Sequence, residues 1–242
     1  MQSALRLIYP TQCITCGDRV DASGALCGAC WRDTPFISGT VCDCCGAPLL
    51  GEDDAQDVRC DACRKYPPVW GRGRAAFLYE DNARNIVLGF KHGDRQEYAI
   101  PAGRWMARAA EELVEDDTIV APVPLHWSRF LKRRYNQSAL LSAQVAKVLG
   151  LEHCPDLLRR VRKTRSLDGL GPQQRSATVS GAIAVHPKRR HLLEDRPVLL
   201  VDDVLTTGAT LNSAAEACFS SRACDVNVIT LARVAHDDYL TL

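Results

Sequence analysis

The sequence of 242 residues lacks several features that would place it in common classes of protein. No stretch approaches the roughly 18 consecutive apolar residues that cross a bilayer, and Met1 to Pro10 lack the apolar core of about 7 to 15 residues found in signal peptides. An excess of one charge is also missing, because 30 Lys and Arg oppose 29 Asp and Glu, which does not favour wholesale electrostatic capture of nucleic acid or anionic membrane. We therefore expect a soluble cytoplasmic protein without membrane contact.

A P-loop is absent as well. Val198 to Asp203 resembles the acidic strand of a P-loop ATPase, but the dipeptide Gly-Lys occurs nowhere in the chain, so the lysine that grips phosphate in that motif is missing. Disorder and collagen-like structure are excluded by an ordinary globular composition of 46% hydrophobic and 24% charged residues. The length suffices for one full-sized domain and a smaller one.

Cysteine is the residue type in which this sequence is rich. Nine of its twelve cysteines fall between Cys13 and Cys63. Eight of these form four C-x2-C pairs, namely Cys13 with Cys16, Cys27 with Cys30, Cys42 with Cys45, and Cys60 with Cys63. Two residues between thiolates let one tight turn present both sulfurs to a tetrahedral ion, and two such turns complete a four-cysteine zinc site. The pattern predicts two zinc ions, bound either by tandem groups of four cysteines or by crossed pairs.

The surroundings of the cysteines support zinc. Cys16 and Cys45 precede Gly17 and Gly46, which suits a turn whose next residue takes positive φ while amides point at sulfur. Without a secretory signal the thiols should stay reduced, which favours zinc over a disulfide scaffold. Four thiolates leave no open position on the ion, so its predicted role is structural. Cys44 is a spare thiol that could substitute for its neighbouring ligand.

The composition changes after Cys63, where Pro67 and Pro68 form a stiff connector, and we place a domain boundary near Tyr66. Residues 1–66 are then a zinc-ribbon module and residues 67–242 a larger domain. The apolar patterns of the larger domain predict strands at 75–79, 118–123, 198–201 and 226–234, and helices at 82–91, 99–113, 136–149 and 211–219. This alternation predicts an α/β fold with an open parallel sheet and helices on both faces.

Ligands of such sheets bind beyond the carboxyl ends of the strands, which points to the segment from Val198 to Thr210. There a buried strand delivers the adjacent carboxylates of Asp202 and Asp203 to the rim, and a short loop then opens a helix. The loop supplies hydroxyl donors and close backbone approach through Thr206, Thr207, Gly208 and Thr210. A helix start favours phosphate, and carboxylates accept hydrogen bonds from sugar hydroxyls, so a ribose phosphate satisfies both halves. An N-capping aspartate alone would explain only one of the acids.

The segment VLLVDDVLTTGAT resembles the phosphoribosyl pyrophosphate (PRPP) motif of type I phosphoribosyltransferases, which has four hydrophobic residues, two acids and a Thr-Thr-Gly-x-Thr loop. With the cysteine module in front, nearly the whole chain resembles the ComF family, which is linked to competence for DNA uptake in some bacteria. Further matches are the strand and loop at Val120 to Pro124, the lysine Lys91, the Arg-aromatic-Asn-Gln stretch at Arg134, Tyr135, Asn136 and Gln137, and a mobile loop at Arg162 to Gly181 with Thr164 and Arg175.

The resemblance implies that PRPP is bound with Mg2+ and that phosphoribose passes to an unidentified acceptor as pyrophosphate leaves. Asp202 and Asp203 would hold the 2′ and 3′ hydroxyls of the ribose and stabilise its developing positive charge. The 5-phosphate would be anchored by Thr206, Thr207, Gly208, Ala209 and Thr210. Pyrophosphate would be bound by the backbone from Val123 and Pro124 to Leu125 and by the cations Lys91, Arg134 and either Arg162 or Lys163.

Three positions depart from the family pattern. Leu167 stands where glutamine is expected, Thr178 where asparagine is expected, and Ile183 in place of an aromatic residue. The first two favour an alternative, a non-catalytic PRPP-binding protein whose zinc module docks a DNA-uptake or helicase-type protein. Residues 1–68 carry six basic and nine acidic side chains, which argues against a nucleic-acid module without excluding direct binding of nucleic acid.

Overall fold

The computed structural model of the chain describes residues 10–49, 58–92, 95–125, 135–162 and 181–234. The strands in these ranges are β1 (Gly73–Leu78), β2 (Ile119–Pro122), β3 (Glu152–His153), β4 (Leu158–Arg160), β5 (Ile183–Val185), β6 (Pro197–Leu205) and β7 (Asp225–Arg233). The α-helices are α1 (Gly28–Arg32), α2 (Asp61–Lys65), α3 (Asp81–His92), α4 (Ala99–Ala110), α5 (Gln137–Leu149) and α6 (Ala209–Phe219). Among these residues no helix has both the length and the apolar character needed to cross a membrane.

Five strands form one parallel sheet in the order β1-β7-β6-β2-β3. The long strands β6 and β7 lie at its centre, and β6 pairs with β7 from Pro197 to Leu205 but with β2 only from Val198 to Val201. A separate antiparallel pair is formed by β4 and β5. The carboxyl ends of the parallel strands therefore lie at one edge, where β6 and β7 extend beyond β2.

Two segments before the sheet share a local fold, and we call them ribbon 1 (residues 11–33) and ribbon 2 (residues 41–49 and 58–65). An antiparallel bridge encloses the first cysteine pair of each ribbon, between Gln12 and Arg19 in ribbon 1 and between Val41 and Pro48 in ribbon 2. A five-residue helix then starts directly after a cysteine with extended backbone. This cysteine is Cys27 before α1 and Cys60 before α2. The predicted boundary near Tyr66 falls just after α2 and stays a prediction, because ribbon 2 also packs against the sheet.

The buried residues form two clusters that correspond to the two faces of the sheet. Along β6, Val198 and Leu200 belong to one cluster, whereas Leu199 and Val201 belong to the other. This alternation is expected because successive side chains of a strand point to opposite faces. The first cluster contains residues of α6 and the four paired cysteines of ribbon 2, and the second contains residues of α3, α4 and α5. The predicted α/β architecture, with helices on both faces of a parallel sheet, is confirmed.

The predicted segments are present, with shifted ends. The prediction that β6 stops before Asp202 was wrong, since the strand continues through both acids to Leu205, held by pairing with β7. The helix predicted to end at Leu113 is α-helical only to Ala110 and finishes as a 3-10 turn. The end of α5 follows the prediction, because Gly150 takes a left-handed φ of 72° directly after the helix.

Candidate functional site

Each ribbon brings four cysteine sulfurs together. The groups are Cys13, Cys16, Cys27 and Cys30 in ribbon 1, and Cys42, Cys45, Cys60 and Cys63 in ribbon 2. Within each group the sulfur atoms lie within 4.8 Å of one another. The tandem grouping is therefore the arrangement that forms.

The local geometry of these groups fits zinc. Gly17 and Gly46 have φ angles of 84° and 68°, as the sequence predicted for the turns. The amide of Cys27 points at Cys13 Sγ at 3.3 Å, a contact that stabilises a thiolate. Four sulfur donors at this separation match a structural zinc site, which leaves no ligand position open for chemistry. Cys44 is buried outside the four-sulfur group of ribbon 2, so it does not take the place of a ligand.

The two ribbons differ in their surroundings. All four paired cysteines of ribbon 2 are buried, whereas in ribbon 1 Cys16 is exposed and only Cys13 is fully buried. Ribbon 1 is attached through polar contacts with α3, where Asn82 Nδ2 donates to the Cys30 carbonyl at 3.1 Å and to Thr34 Oγ1 at 2.9 Å. The four paired cysteines of ribbon 2 thus lie in one core cluster, whereas ribbon 1 contributes Ile14 to the other cluster and keeps Cys16 at the surface.

The two predicted acids lie where β6 extends past β2. The last contact between these strands is the bond from the Val123 amide to the Val201 carbonyl at 2.9 Å. Asp203 Oδ2 lies 3.2 Å from Nζ of Lys91, near the end of α3. Asp202 Oδ1 accepts hydrogen bonds from Ser138 Oγ at 2.8 Å and from the Asp203 amide at 2.9 Å. The fold therefore brings Lys91 to the acidic pair and adds Ser138, a residue that the sequence analysis missed.

The two carboxylates have different electrostatic roles. Burial, followed by the neighbouring charge of Asp203, raises the pKa of Asp202 to about 7, while Ser138 and Lys91 act in the opposite direction. Asp203 is the member of the pair that contacts Lys91 directly. The negative charge of Asp202 is therefore costly in the protein without a ligand. Hydrogen bonds donated by a ligand would stabilise that charge, so Asp202 is suited to accept them.

The raised pKa of Asp202 predicts a pH-dependent stability. An aspartate in an unfolded chain has a pKa of about 3.9, so the stability that Asp202 contributes falls as the pH rises from there through about 7. Asparagine does not ionise, so we expect Asp202→Asn to be more stable than the parent protein, with a gap that grows by about 1 kcal/mol between about pH 6 and about pH 8. Thermal unfolding of both proteins at the two pH values checks this result, expected as a further Tm difference of about 2 to 4 °C. An equal gap at both values would contradict the assignment.

Residues 206–210, which we call the Thr/Gly loop, lead directly from β6 into α6. Gly208 adopts a left-handed φ of 74° and precedes the helix without a side-chain cap. A Cβ atom on Gly208 would lie 2.6 Å from Cη2 of Trp70, so both the backbone angle and the packing require glycine. Main-chain N–H groups and the helix dipole then favour an anion at the start of α6. The predicted loop members Thr206, Thr207, Gly208, Ala209 and Thr210 thus lie where β6 turns into α6, after the two acids.

The turn before α5 connects three parts of the site. The Tyr135 hydroxyl donates to the Phe90 carbonyl at 2.7 Å, next to Lys91. Asn136 Nδ2 donates to the Val123 carbonyl at 3.2 Å, and Asn136 Oδ1 caps α5 by accepting from the Ser138 amide at 3.1 Å. Tyr135 and Asn136 therefore fix the end of α3 and the loop after β2 beside the acids.

Several predicted residues lie outside the described residues. These are Arg134, Lys163, Thr164, Leu167, Arg175 and Thr178, together with most of the predicted mobile loop. Ile183, the third departure from the family pattern, begins β5 and is buried. The described part of the site consists of the acids, the Thr/Gly loop, Lys91 and the turn before α5.

Comparison with known proteins agrees with this arrangement. The sequence model of the Double zinc ribbon domain matches residues 4–64, and that of the Phosphoribosyl transferase domain matches residues 136–240. The DNA utilization protein YhgH of Salmonella typhimurium is 30% identical over 200 residues, covering 80% of this chain and 84% of that protein. Competence protein F of Haemophilus influenzae is 29% identical, covering 83% and 87%, and competence protein ComFC of Bacillus subtilis is 23% identical, covering 86% and 84%. The chain belongs to the ComF family.

The two domain matches cover most of the site in this ComF protein. The phosphoribosyl transferase match includes Ser138, both acids and the Thr/Gly loop. Lys91 and Trp70 lie outside both matches, although the structure places Lys91 against Asp203 and Trp70 against Gly208. Part of the site is thus contributed by the segment between the two matched domains.

Proposed function

We propose that this ComF protein binds PRPP with Mg2+ at the carboxyl end of β6 and transfers its phosphoribosyl group to an unidentified nitrogen acceptor, releasing pyrophosphate. The observation that carries the proposal is the junction of Asp202 and Asp203 with a loop that turns at Gly208 into the start of α6. Carboxylates would repel a phosphate unless they face another group, and the vicinal hydroxyls of ribose are suitable donors to them. A ribose 5-phosphate fits this junction of acceptors and anion-binding amides.

Each half of the site then has a role in transfer. The acids would accept hydrogen bonds from the ribose hydroxyls and stabilise the positive charge that develops on the ring as its bond to pyrophosphate breaks. The loop from Thr206 to Thr210 would hold the 5-phosphate and fix the sugar for attack. Mg2+ would be bound by pyrophosphate and ribose hydroxyls, where it neutralises the leaving group.

The main-chain hydrogen bonds around Val123 limit which amides we propose for pyrophosphate. The Val123 amide already donates to the Val201 carbonyl, and Pro124 has no N–H, so Leu125 is the remaining main-chain donor of the three. Lys91 Nζ has three hydrogens, so its contact with Asp203 leaves donors for an anion. We therefore assign pyrophosphate to Lys91 and the Leu125 amide, with Arg134 and Arg162 or Lys163 as further candidate cations.

The ribbons are proposed to hold two structural zinc ions and to serve the protein's link with DNA. Four sulfurs per group supply a complete ligand set, so a purely structural role fits. The relatives named for competence and DNA utilization support a role in DNA uptake or use. Residues 1–66 would dock a DNA-uptake or helicase-type protein, while residues 67–242 bind PRPP. A reducing cytoplasm would keep the eight thiols available for metal.

Binding of PRPP is tested with one acid of the pair. We expect calorimetry with PRPP and Mg2+ to show binding that Asp203→Asn weakens by at least about 100-fold, because the neutral amide loses charge-assisted contacts with the ribose. The matched control is Asp195→Asn, the same change at an exposed aspartate before the amino end of β6, which should bind as the parent does. Absence of PRPP binding by the parent, or equal binding by Asp203→Asn, would refute the proposal.

A second measurement separates transfer from binding alone. The parent protein is mixed with PRPP, Mg2+ and a panel of nucleobases and amines, and released pyrophosphate is measured. Release with any acceptor, lost in Asp203→Asn, supports the transferase. Tight binding without release under every acceptor supports the alternative of a non-catalytic PRPP-binding protein, which the departures at Leu167 and Thr178 favour.

A further inference from the structure

We propose that Trp70 is a positioning residue that holds the Thr206–Thr210 loop in the shape needed for the 5-phosphate, and that ribbon 2 in turn anchors its indole ring. The proposal rests on the assignment of this loop to the phosphate of PRPP. Trp70 belongs to the connector between ribbon 2 and β1, and it is only 5% exposed. Its two ends contact two different parts of the protein.

The six-membered ring of Trp70 packs against the loop at its turning point. A Cβ atom added to Gly208 would meet Cη2 of this ring at 2.6 Å and Cζ3 at 3.3 Å. Gly208 is also the residue whose left-handed φ of 74° directs the chain from β6 into α6. The ring therefore supports the residue that sets the direction of the amides at the start of the helix.

The opposite edge of the indole is fixed by ribbon 2. Nε1 of Trp70 donates to the carbonyl of Cys44 at 2.6 Å. Cys44 stands between Cys42 and Cys45, which belong to the four-sulfur group of this ribbon. The position of the accepting carbonyl is consequently set by the cysteine turn, and the turn itself presses on β1, since a Cβ on Gly73 would lie 2.5 Å from the same carbonyl oxygen.

The neighbours of Trp70 attach the connector to the same region. The Val69 amide donates to Oδ1 of Asn212, in the first turns of α6, at 2.8 Å. The Gly71 amide donates to the Val226 carbonyl of β7 at 2.9 Å. Residues 69–71 thus form a continuous connection from ribbon 2 to the helix that the loop opens. Removing the ring would take away the nearest packing partner of Gly208, and leave Leu205 beside it, while these flanking bonds persist.

The consequence is a specific effect on phosphate binding. Misplacement of binding groups by about 1 Å can reduce function by about 100-fold, so loosening the loop amides should weaken ligands that carry the 5-phosphate. Pyrophosphate, assigned to Lys91 and the loop after β2, does not use these amides. Loss of Trp70 should therefore weaken the binding of ligands that carry the 5-phosphate without weakening the binding of pyrophosphate. General destabilisation of the protein would weaken both.

The experiment compares Trp70→Ala with Trp105→Ala in the full chain. Trp105 lies on α4, on the opposite face of the sheet, and packs against Phe36 with ring centroids 5.5 Å apart. We expect Trp70→Ala to weaken ribose 5-phosphate by about 10- to 100-fold in calorimetry, to leave pyrophosphate with Mg2+ within about twofold, and to retain the parent's zinc content. Trp105→Ala should leave both affinities unchanged. Equal weakening of both ligands, or of neither, by Trp70→Ala overturns the proposal.

Two additions keep the test decisive. If Trp70→Ala does not fold, Trp70→Phe keeps an apolar ring but is too short to cover Gly208, and it should show the same selectivity with a smaller loss. Hydrogen exchange of the amides at 206–210 reports loop support without any ligand: faster exchange in the Trp70 variants than in Trp105→Ala supports the proposal, and equal exchange overturns it. If the parent binds neither PRPP nor ribose 5-phosphate, the proposed function fails, while the exchange result still decides the role of Trp70.

Discussion

Replacing Cys60 with serine is expected to remove one of the two proposed zinc ions and to destabilise the protein far more than replacing Cys16 does. Cys60 and the other paired cysteines of ribbon 2 are buried in the same core cluster as Val198, Leu200 and Val228 of the sheet. Cys16 in ribbon 1 is exposed. Each change removes one of the four sulfurs of its ribbon, so the difference between them measures what each ribbon supports.

The reason is the close docking of ribbon 2 on the sheet. The Gly73 amide donates to the Asp43 carbonyl at 2.7 Å, and a Cβ on Gly46 would lie 2.9 Å from the backbone of β1. Losing the metal would release this turn and uncover one face of β1, with a cost in unfolding free energy of at least about 4 kcal/mol. That cost corresponds to a fall in Tm of at least about 10 °C.

Metal analysis and thermal unfolding of the two variants check this prediction. Both should contain about one zinc ion per chain, against about two in the parent protein. Cys60→Ser should show the large fall in Tm, while Cys16→Ser should lose only a few degrees because, among the described residues, ribbon 1 contributes only Ile14 to the buried members of the two core clusters. Equal Tm values for the two variants would show that ribbon 2 does not support the sheet.

Much of the fold could be predicted from local sequence because its causes are local. The C-x2-C spacing follows from what one turn must do to present two sulfurs to an ion, so the tandem groups in the structure agree with the simplest reading. The run from Val198 to Val201 is continuously apolar because both faces of that strand are covered, one by α6 and ribbon 2 and the other by the helices α3 to α5. The turn at Gly208 required a residue that tolerates positive φ.

The parts that sequence reasoning missed depend on distant contacts. Ser138 reaches Asp202 from 64 positions away, and Trp70 reaches Cys44 and Gly208 from a connector that looked like a simple spacer. The length of β6 was underestimated for the same reason, since its end is set by pairing with β7 rather than by its own residues. The stretch that includes Tyr135 and Asn136 resembled a family motif. That it joins α3, the loop after β2 and α5 could be seen only in the folded structure.

A buried arginine at the contact between ribbon 2 and the sheet leads to the second large prediction. The side chain of Arg74 on β1 is only 9% exposed and contacts two acids. Its Nη2 lies 2.8 Å from Asp43 Oδ1, and its Nε lies 2.6 Å from Glu112 Oε1. Nη1 also donates to the Asp43 carbonyl at 3.1 Å. One guanidinium thus joins the cysteine turn of ribbon 2 to the 3-10 turn after α4.

Arg74→Ala should destabilise the protein by about 3 kcal/mol, because it removes the buried charge that Asp43, 21% exposed, and Glu112, 56% exposed, are paired with. This value is at the low end of the roughly 3 to 5 kcal/mol that removal of one partner from a buried ion pair costs. The loss is limited because Arg72, at 3.1 Å from Glu112, partly replaces the lost charge. Arg74→Lys should restore less than half of the loss, since a single ammonium cannot reproduce the fork that reaches both acids. Urea unfolding at neutral pH measures these differences against Arg84→Ala, an exposed arginine on α3 that should change stability by less than about 0.5 kcal/mol. Full rescue by lysine would mean that charge alone, and not the geometry of the fork, holds ribbon 2 to the sheet.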